Sequence, residues 1–239
     1  MKNNIAVIGL GSMGYGIATS CLRSGHLVWG VDTNIDQVKA FCSQGGQATT
    51  LNSVIDKIDV VVVVVLNSVQ TEEVLFGQEG LVENLKPGTV VISCATVAPT
   101  FAIDMERRCK EFEIFYLDAP ISGGALKAKN GQLSIMASGV KEAFQHARPT
   151  LDSISETVFE LGDEAGTGSA MKSVNQLLAG VHIAVMAEAL TFGISQGISP
   201  DKFVEVISKC AGTSWMLENR APHIVNGDYK PHSSINIWP

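Results

Sequence analysis

The chain has little charge, few aromatic rings and few cysteines. Of its 239 residues 17% are charged, 6% are aromatic, and five are cysteine. Cys21, Cys42, Cys94, Cys109 and Cys210 form no C-x-x-C pair and sit beside no histidine cluster. That pattern fits neither a disulfide framework nor a zinc centre, and reduced, buried thiols are expected. His223 and His232 are too isolated to suggest a metal site. No basic run occurs and the net charge is −7, so the electrostatic footprint of a nucleic-acid or anionic-lipid binder is missing. The N-terminus carries no secretory signal, and the longest uninterrupted apolar run, 60–66, is too short to span a bilayer. A cytoplasmic protein with no membrane or nucleic-acid partner is expected.

What the chain does have is a 46% hydrophobic composition rich in Val, Ile, Ala and Gly. That balance suits buried parallel strands covered by close-packed helices. Residues 5–8 read as a strand, 13–24 as a helix, 27–31 as a second strand and 36–44 as a second helix, the signature of a βαβ unit. Six valines and a leucine at 60–66 run without alternation, as a strand buried on both faces requires. Further strands are expected at 89–94, 114–117, 133–137 and 158–161, with helices at 102–111 and 141–151. This is the pattern of a doubly wound, Rossmann-like α/β domain. After the polar, glycine-containing stretch 163–168 the strand signal ends. Helices are expected at 169–196, 200–210 and 214–225, giving domains at 1–163 and 164–239, the second all-α.

Gly9-Leu10-Gly11-Ser12-Met13-Gly14 fits G-x-G-x-x-G at the first strand-to-helix turn. Gly9 permits the tight turn, Gly11 lets backbone approach a pyrophosphate, and Gly14 allows close helix–strand packing. The helix N-terminus adds unpaired N–H groups and partial positive charge. Asp32, at the end of the second strand, can accept both hydroxyls of an adenosine ribose. The same carboxylate repels a 2′-phosphate, and Thr33-Asn34 offers no arginine to receive one, so NAD is expected over NADP.

Three later segments supply candidate reacting groups. Residues 93–99, which include Thr96, end a buried strand. Residues 118–124 bring a hydroxyl (Ser122) and two backbone amides (Gly123, Gly124), suitable donors for a carboxylate. Lys172 lies early in an apolar helix with Asn175 and Gln176 at the i+3 and i+4 positions. On spacing alone Lys172 reads equally as a surface lysine, and Asn175 and Gln176 as the wet side of the helix. The next two turns are apolar all round, which predicts a helix buried on most faces whose polar groups need partners. His182 is expected as a core histidine, and Asp104, Glu106, Arg107 and Arg108 as a solvated helix face.

Taken with these motifs (GLGSMG, the Thr96 strand end, DAPISGG and GTGSAMKSVNQ, in that order), the sequence resembles the β-hydroxyacid dehydrogenase family. The stretches TVAPTFAI, NQLLAGVHIAVMAEAL and SWMLENRAPHI resemble its L-threonate-oxidising branch. The resemblance implies oxidation of a small hydroxy-acid substrate with NAD, and 3-hydroxyisobutyrate- and tartronate semialdehyde-type activities remain alternatives. It implies NAD contacts at Gly9, Leu10, Gly11, Ser12, Met13, Gly14, Asp32, Leu66, Asn67 and Thr96. Ser122, Gly123 and Gly124 would hold the substrate carboxylate, Lys172 would be the acid/base, and Asn175 and Gln176 would orient substrate. Trp215, Met216 and Leu217 read as helix packing, although the branch places this segment at the substrate pocket. The family continues for several helices beyond the region of 228–237, including a Phe-x-x-Lys-Asp-Leu-type segment, whereas this sequence stops at Pro239. A C-terminal truncation is therefore expected, with homo-oligomer assembly implied where the helical domain is complete. An inactive NAD-binding protein is the alternative of another class.

Overall fold

The computed structural model describes residues 2–47 and 50–229. His232 and the end of the chain at 237–239, on which part of the sequence reading rests, lie outside them. Five strands, β1 (Asn4–Ile8), β2 (Leu27–Val31), β3 (Val60–Val63), β4 (Val90–Ser93) and β5 (Phe115–Asp118), form a parallel sheet in the order β2-β1-β3-β4-β5. The helices α1 (Gly14–Arg23), α2 (Ile35–Ser43), α3 (Ser68–Phe76) and α4 (Pro99–Lys110) connect them.

The strands lack hydrophobic alternation because both of their faces are buried. Ile5, Val7, Val60, Val62, Val90 and Ile92 belong to one apolar cluster. Their sequence neighbours Ala6, Ile8, Val61, Val63 and Val91 belong to the other. Alternate side chains point to opposite faces of a strand, so each strand feeds both layers at once. The strand order reverses between β1 and β3. In an open parallel sheet this switch point opens a crevice at the carboxyl ends of the strands.

Residues 133–137 and 158–161 do not extend this sheet. They fall in a separate three-stranded sheet, β6 (Ile121–Ser122), β7 (Leu133–Ala137) and β8 (Ser155–Glu160), accompanied by α5 (Gly124–Asn130) and α6 (Lys141–Ile154). β6 pairs antiparallel and β8 parallel to β7. An Asp118–Ser138 bridge joins the end of β5 to the residue just after β7.

The chain then becomes helical, through α7 (Thr167–Ser195), α8 (Pro200–Ile207) and α9 (Trp215–Val225). Two compact units are present, with the boundary between Ser173 and Val174, inside α7. The second unit has a small core of its own, made of Met186, Leu190, Phe203, Leu217 and Ala221. Ser199 and Ser214 cap α8 and α9 by accepting from the N–H groups of Lys202 and Leu217.

Several expectations need correction. The helix predicted at 169–196 forms, but it is not buried on most faces. Leu177 and Phe192 are both 68% exposed, and Val174, Leu178, Val181 and Val185 are about half exposed. Only a narrow stripe that includes Lys172, Gln176, Ala179, Met186 and Leu190 is covered. By length and composition alone α7 is apolar enough to cross a membrane, a test that core helices of soluble proteins also pass. His182 is exposed rather than a core residue. Of the cysteines, Cys21, Cys94 and Cys109 are buried, Cys42 is half-buried and Cys210 is exposed, all of them free. No cluster of metal-ligating side chains occurs among the described residues.

Candidate cofactor and active site

Every strand of the main sheet ends at the same edge, and the candidate residues of the first unit follow those ends. Gly9–Gly14 follow β1, Asp32 follows β2, Leu66 and Asn67 follow β3, Thr96 follows β4, and Ser122–Gly124 follow β5. The positions that follow β1 to β4, far apart in sequence, therefore share one rim because parallel strands all deliver their carboxyl ends to it, while Ser122 lies on β6 of the second sheet.

The glycine loop is shaped by contacts that leave no room for side chains. Gly9 has a φ of +93°, and a Cβ there would also strike the carbonyl of Val64 beside β3. A Cβ on Gly14 would collide with the carbonyl of Gly9. Gly11, by contrast, faces open space, so its backbone is presented outward. Gly11 and Ser12 are exposed and Met13 is half-buried. The Asp32 carboxylate is held by two backbone donors: Leu10 N–H donates to Oδ2 at 2.6 Å and Asn34 N–H to Oδ1 at 2.7 Å. Each oxygen keeps a further lone pair for a hydroxyl donor. A loop with outward amides next to an immobilised carboxylate fits the pyrophosphate and ribose of a dinucleotide.

Leu66 and Asn67 carry a structural duty as well. Asn67 caps α3, its Oδ1 accepting from Gln70 N–H at 3.0 Å, while Leu66 N–H donates to Gln70 Oε1 at 2.9 Å. Thr96 is half-buried. At Gly123 and Gly124 the φ values are +133° and +76°, which favour glycine. A Cβ on Gly123 would press on the Lys127 side chain, whereas Gly124 faces open space.

Lys172 lies on the second turn of α7 and is 8% exposed. Its Nζ donates to the carbonyl of Ile121 at 2.8 Å, directly before Ser122 in the chain. Burial lowers the lysine from 10.5 to about 8, because an ammonium loses hydration there that the amine needs less. The structure thus brings Lys172 to the 121–124 segment, as a proton-handling group beside carboxylate donors would need to be. In the second unit Gln176 is buried, and Asn175 Nδ2 donates to Gln176 Oε1 at 3.5 Å. His182 lines a hollow of about 400 Å³ within that unit, together with Phe203, Thr213 and Leu217.

Two residues carry more than the sequence reading assigned to them. Glu106 is not simply a solvated residue of α4. Its Oε2 accepts from Ala165 N–H at 3.1 Å, and burial raises its carboxyl above the usual range. Asp118, only 1% exposed, accepts from Gly166 N–H, Ser169 N–H and Ser169 Oγ at the start of α7. Their partners lie 48–59 residues away, and no local pattern announces such pairs.

The chain is similar to known proteins along its length. A family model described as the NAD binding domain of 6-phosphogluconate dehydrogenase matches residues 4–162. A second, described as NAD-binding of NADP-dependent 3-hydroxyisobutyrate dehydrogenase, matches 166–238. An L-threonate dehydrogenase of Cupriavidus necator is 45% identical over all of this chain and 80% of its own length. A crystal structure of 3-hydroxyisobutyrate dehydrogenase from Salmonella typhimurium superposes with a TM-score of 0.92 at 38% identity, covering 99% of this chain and 83% of the other. A solved structure described as Psf3 in complex with NADP+ and 2-OPP has a TM-score of 0.87 at 26% identity, covering 93% and 79%.

Proposed function

The chain belongs to the β-hydroxyacid dehydrogenase family, and from that premise we propose that it oxidises L-threonate at C2 to the 2-oxo acid with NAD as acceptor. It is an oxidoreductase acting on a CH–OH group, and its cofactor is a nicotinamide dinucleotide. One observation carries the mechanistic reading. Lys172 is buried, poised near neutral pH, and tethered to the residue preceding the Ser122-Gly123-Gly124 donors.

Gly9, Leu10, Gly11, Ser12, Met13 and Gly14 hold the pyrophosphate and Asp32 the adenosine ribose. Leu66, Asn67 and Thr96 complete the cofactor's rim. The nicotinamide supplies the hydride-accepting carbon. Asp32, with no arginine at 33 or 34, disfavours a 2′-phosphate and selects NAD. Ser122 Oγ and the Gly123 and Gly124 amides receive the substrate carboxylate. Neutral Lys172 accepts the hydroxyl proton during oxidation, and its ammonium returns that proton to the developing alkoxide in reduction. Burial is what makes an amine with a free lone pair available at working pH.

The reading is tested by following NADH and NADPH formation over a panel of four-carbon sugar acids and β-hydroxyacids. L-threonate with NAD is expected to give the highest kcat/KM. Lys172→Ala is expected to lower kcat by about 10²- to 10⁴-fold with NAD affinity kept. Near-normal turnover of that variant removes the lysine from the mechanism, and cofactor binding without turnover on any acid removes the activity.

A further inference from the structure

The strip 118–121 touches α7 at two places. Its far end, the Ile121 carbonyl, accepts the Lys172 ammonium at 2.8 Å. Its near end, the Asp118 carboxylate, grips the beginning of the same helix. Oδ2 accepts from Gly166 N–H at 3.0 Å and from Ser169 N–H at 2.8 Å, and Oδ1 accepts from Ser169 Oγ at 2.6 Å.

The surrounding contacts leave that helix start little freedom. Asp118 exchanges backbone hydrogen bonds with Ser138, and Ser138 Oγ accepts from Gly168 N–H at 3.0 Å. A Cβ on Gly168 would come within 2.5 Å of the Asp118 and Met136 carbonyls, so the first turn of α7 lies directly on the strand ends. Ser169 is fully buried. Lys172 lies one turn beyond these anchored residues, so any shift of the helix start moves Nζ with it.

We propose that Asp118 is a positioning residue for the reaction: its carboxylate clamps the first turn of α7 and thereby fixes Lys172 Nζ on the Ile121 carbonyl, beside the carboxylate donors that follow. A free helix N-terminus exposes unpaired N–H groups, and a carboxylate satisfies two of them while complementing the helix dipole. Burial pushes the Asp118 carboxyl up, opposed by hydrogen bonds from Ser169, Gly166 and the Ser138 side chain. The titratable groups facing it are Glu106 on α4 and Tyr116 on β5.

The inference rests on Lys172 as the acid/base, so the test includes measurements that do not depend on turnover. Asp118→Asn keeps the shape, an amide oxygen for the two N–H donors and an NH2 for Ser169 Oγ. Asp118→Ala removes all three contacts. In the full chain, amide hydrogen exchange at Gly166 and Ser169 should accelerate by roughly tenfold or more in the alanine variant, since a local opening no longer breaks those bonds. The Lys172 titration, followed by NMR of ε-13C-lysine, should move from about 8 toward its ordinary value as water reaches the loosened amine. With substrate, kcat should fall by roughly ten- to a hundredfold, the scale of a misplaced reacting group, with a smaller change in KM. Asp118→Asn should restore slow exchange, the low titration and most of kcat. Ser169→Ala, which removes a single contact, should show the same changes in weaker form and serves if Asp118→Ala does not fold. Unchanged exchange and an unmoved Lys172 titration in Asp118→Ala, or in Ser169→Ala when it stands in, overturn the clamp. So does an asparagine variant as impaired as alanine. A turnover indifferent to Lys172→Ala, with exchange and titration responding as expected, supports the clamp and fails only the proposed function.

Discussion

The four valines of β3 and the leucines and valines of α7 are equally apolar, yet they have opposite environments. Val60–Val63 are sealed between two layers of helices, whereas Leu177, Val181, Val185 and Phe192 face outward along one side of α7. A central parallel strand cannot avoid burial, because each neighbour on the sheet and each crossover helix covers it. A helix meets its neighbours only along stripes, and α7 is covered along one. The candidate chemistry follows this contrast. The glycine loop, Asp32, Ser122–Gly124 and even Lys172 belong to the well-covered first unit, although Lys172 is carried by the helix that continues into the second. Reacting groups need rotamers locked by packing, and the covered unit provides them.

Leu117 and Leu177 put this contrast to a measurement with the same residue type on each side. Leu117, on β5, is fully buried in the main core. Leu117→Ala removes buried methyl groups and leaves a cavity, which should cost about 2–5 kcal/mol. Denaturant titration should show the loss as a lower midpoint, and a cost below about 1 kcal/mol would mean that the sheet is far less tightly packed than the full burial of Leu117 implies.

A smaller effect distinguishes the covered stripe of α7 from a lysine in solvent. With Lys172 as the proposed base, held near 8 by burial, kcat/KM in the oxidative direction should rise tenfold per pH unit below that value and level off above it. The reductive direction needs the ammonium and should decline as pH passes the same point. Replacing Lys202, an exposed lysine on α8 paired with Glu205, should leave the profile unmoved. A profile flat between pH 6 and about 9 in both directions would be inconsistent with a proton carried by a buried lysine.

Legibility in the sequence varies along the chain for a related reason. The glycine loop, the uninterrupted valines and Asp32 each follow from one local rule, and each lies where that rule puts it. β6 has two residues, too few for any periodic signal, and α3 shows little pattern although Asn67 caps it. Its Val69 points to solvent while Thr71 is buried, which blurs the apolar stripe. For Glu106, charge alone suggested a solvated face, since nothing nearby in the chain reveals a backbone N–H from residue 165. On α7 the reading failed in the opposite sense. Continuous apolarity does not imply continuous cover, because composition states which surface is costly to expose and not whether anything covers it.

That last point leads to the smallest predicted effect. Leu177→Ser replaces an apolar side chain that is 68% exposed, so little transfer free energy is at stake and no cavity forms. The change in stability should stay within about 0.5 kcal/mol, as for surface substitutions generally. Exposed apolar area should fall, and the variant should bind less of a hydrophobic fluorophore such as ANS than the parent chain. The pair Leu117→Ala and Leu177→Ser thus predicts a large difference in stability from one residue type, determined by surroundings alone. If Leu177→Ser instead destabilised the protein by several kcal/mol, with no decrease in dye binding, the outer face of α7 would have to be covered in solution. The difference between the two regions would then lie in what covers each of them.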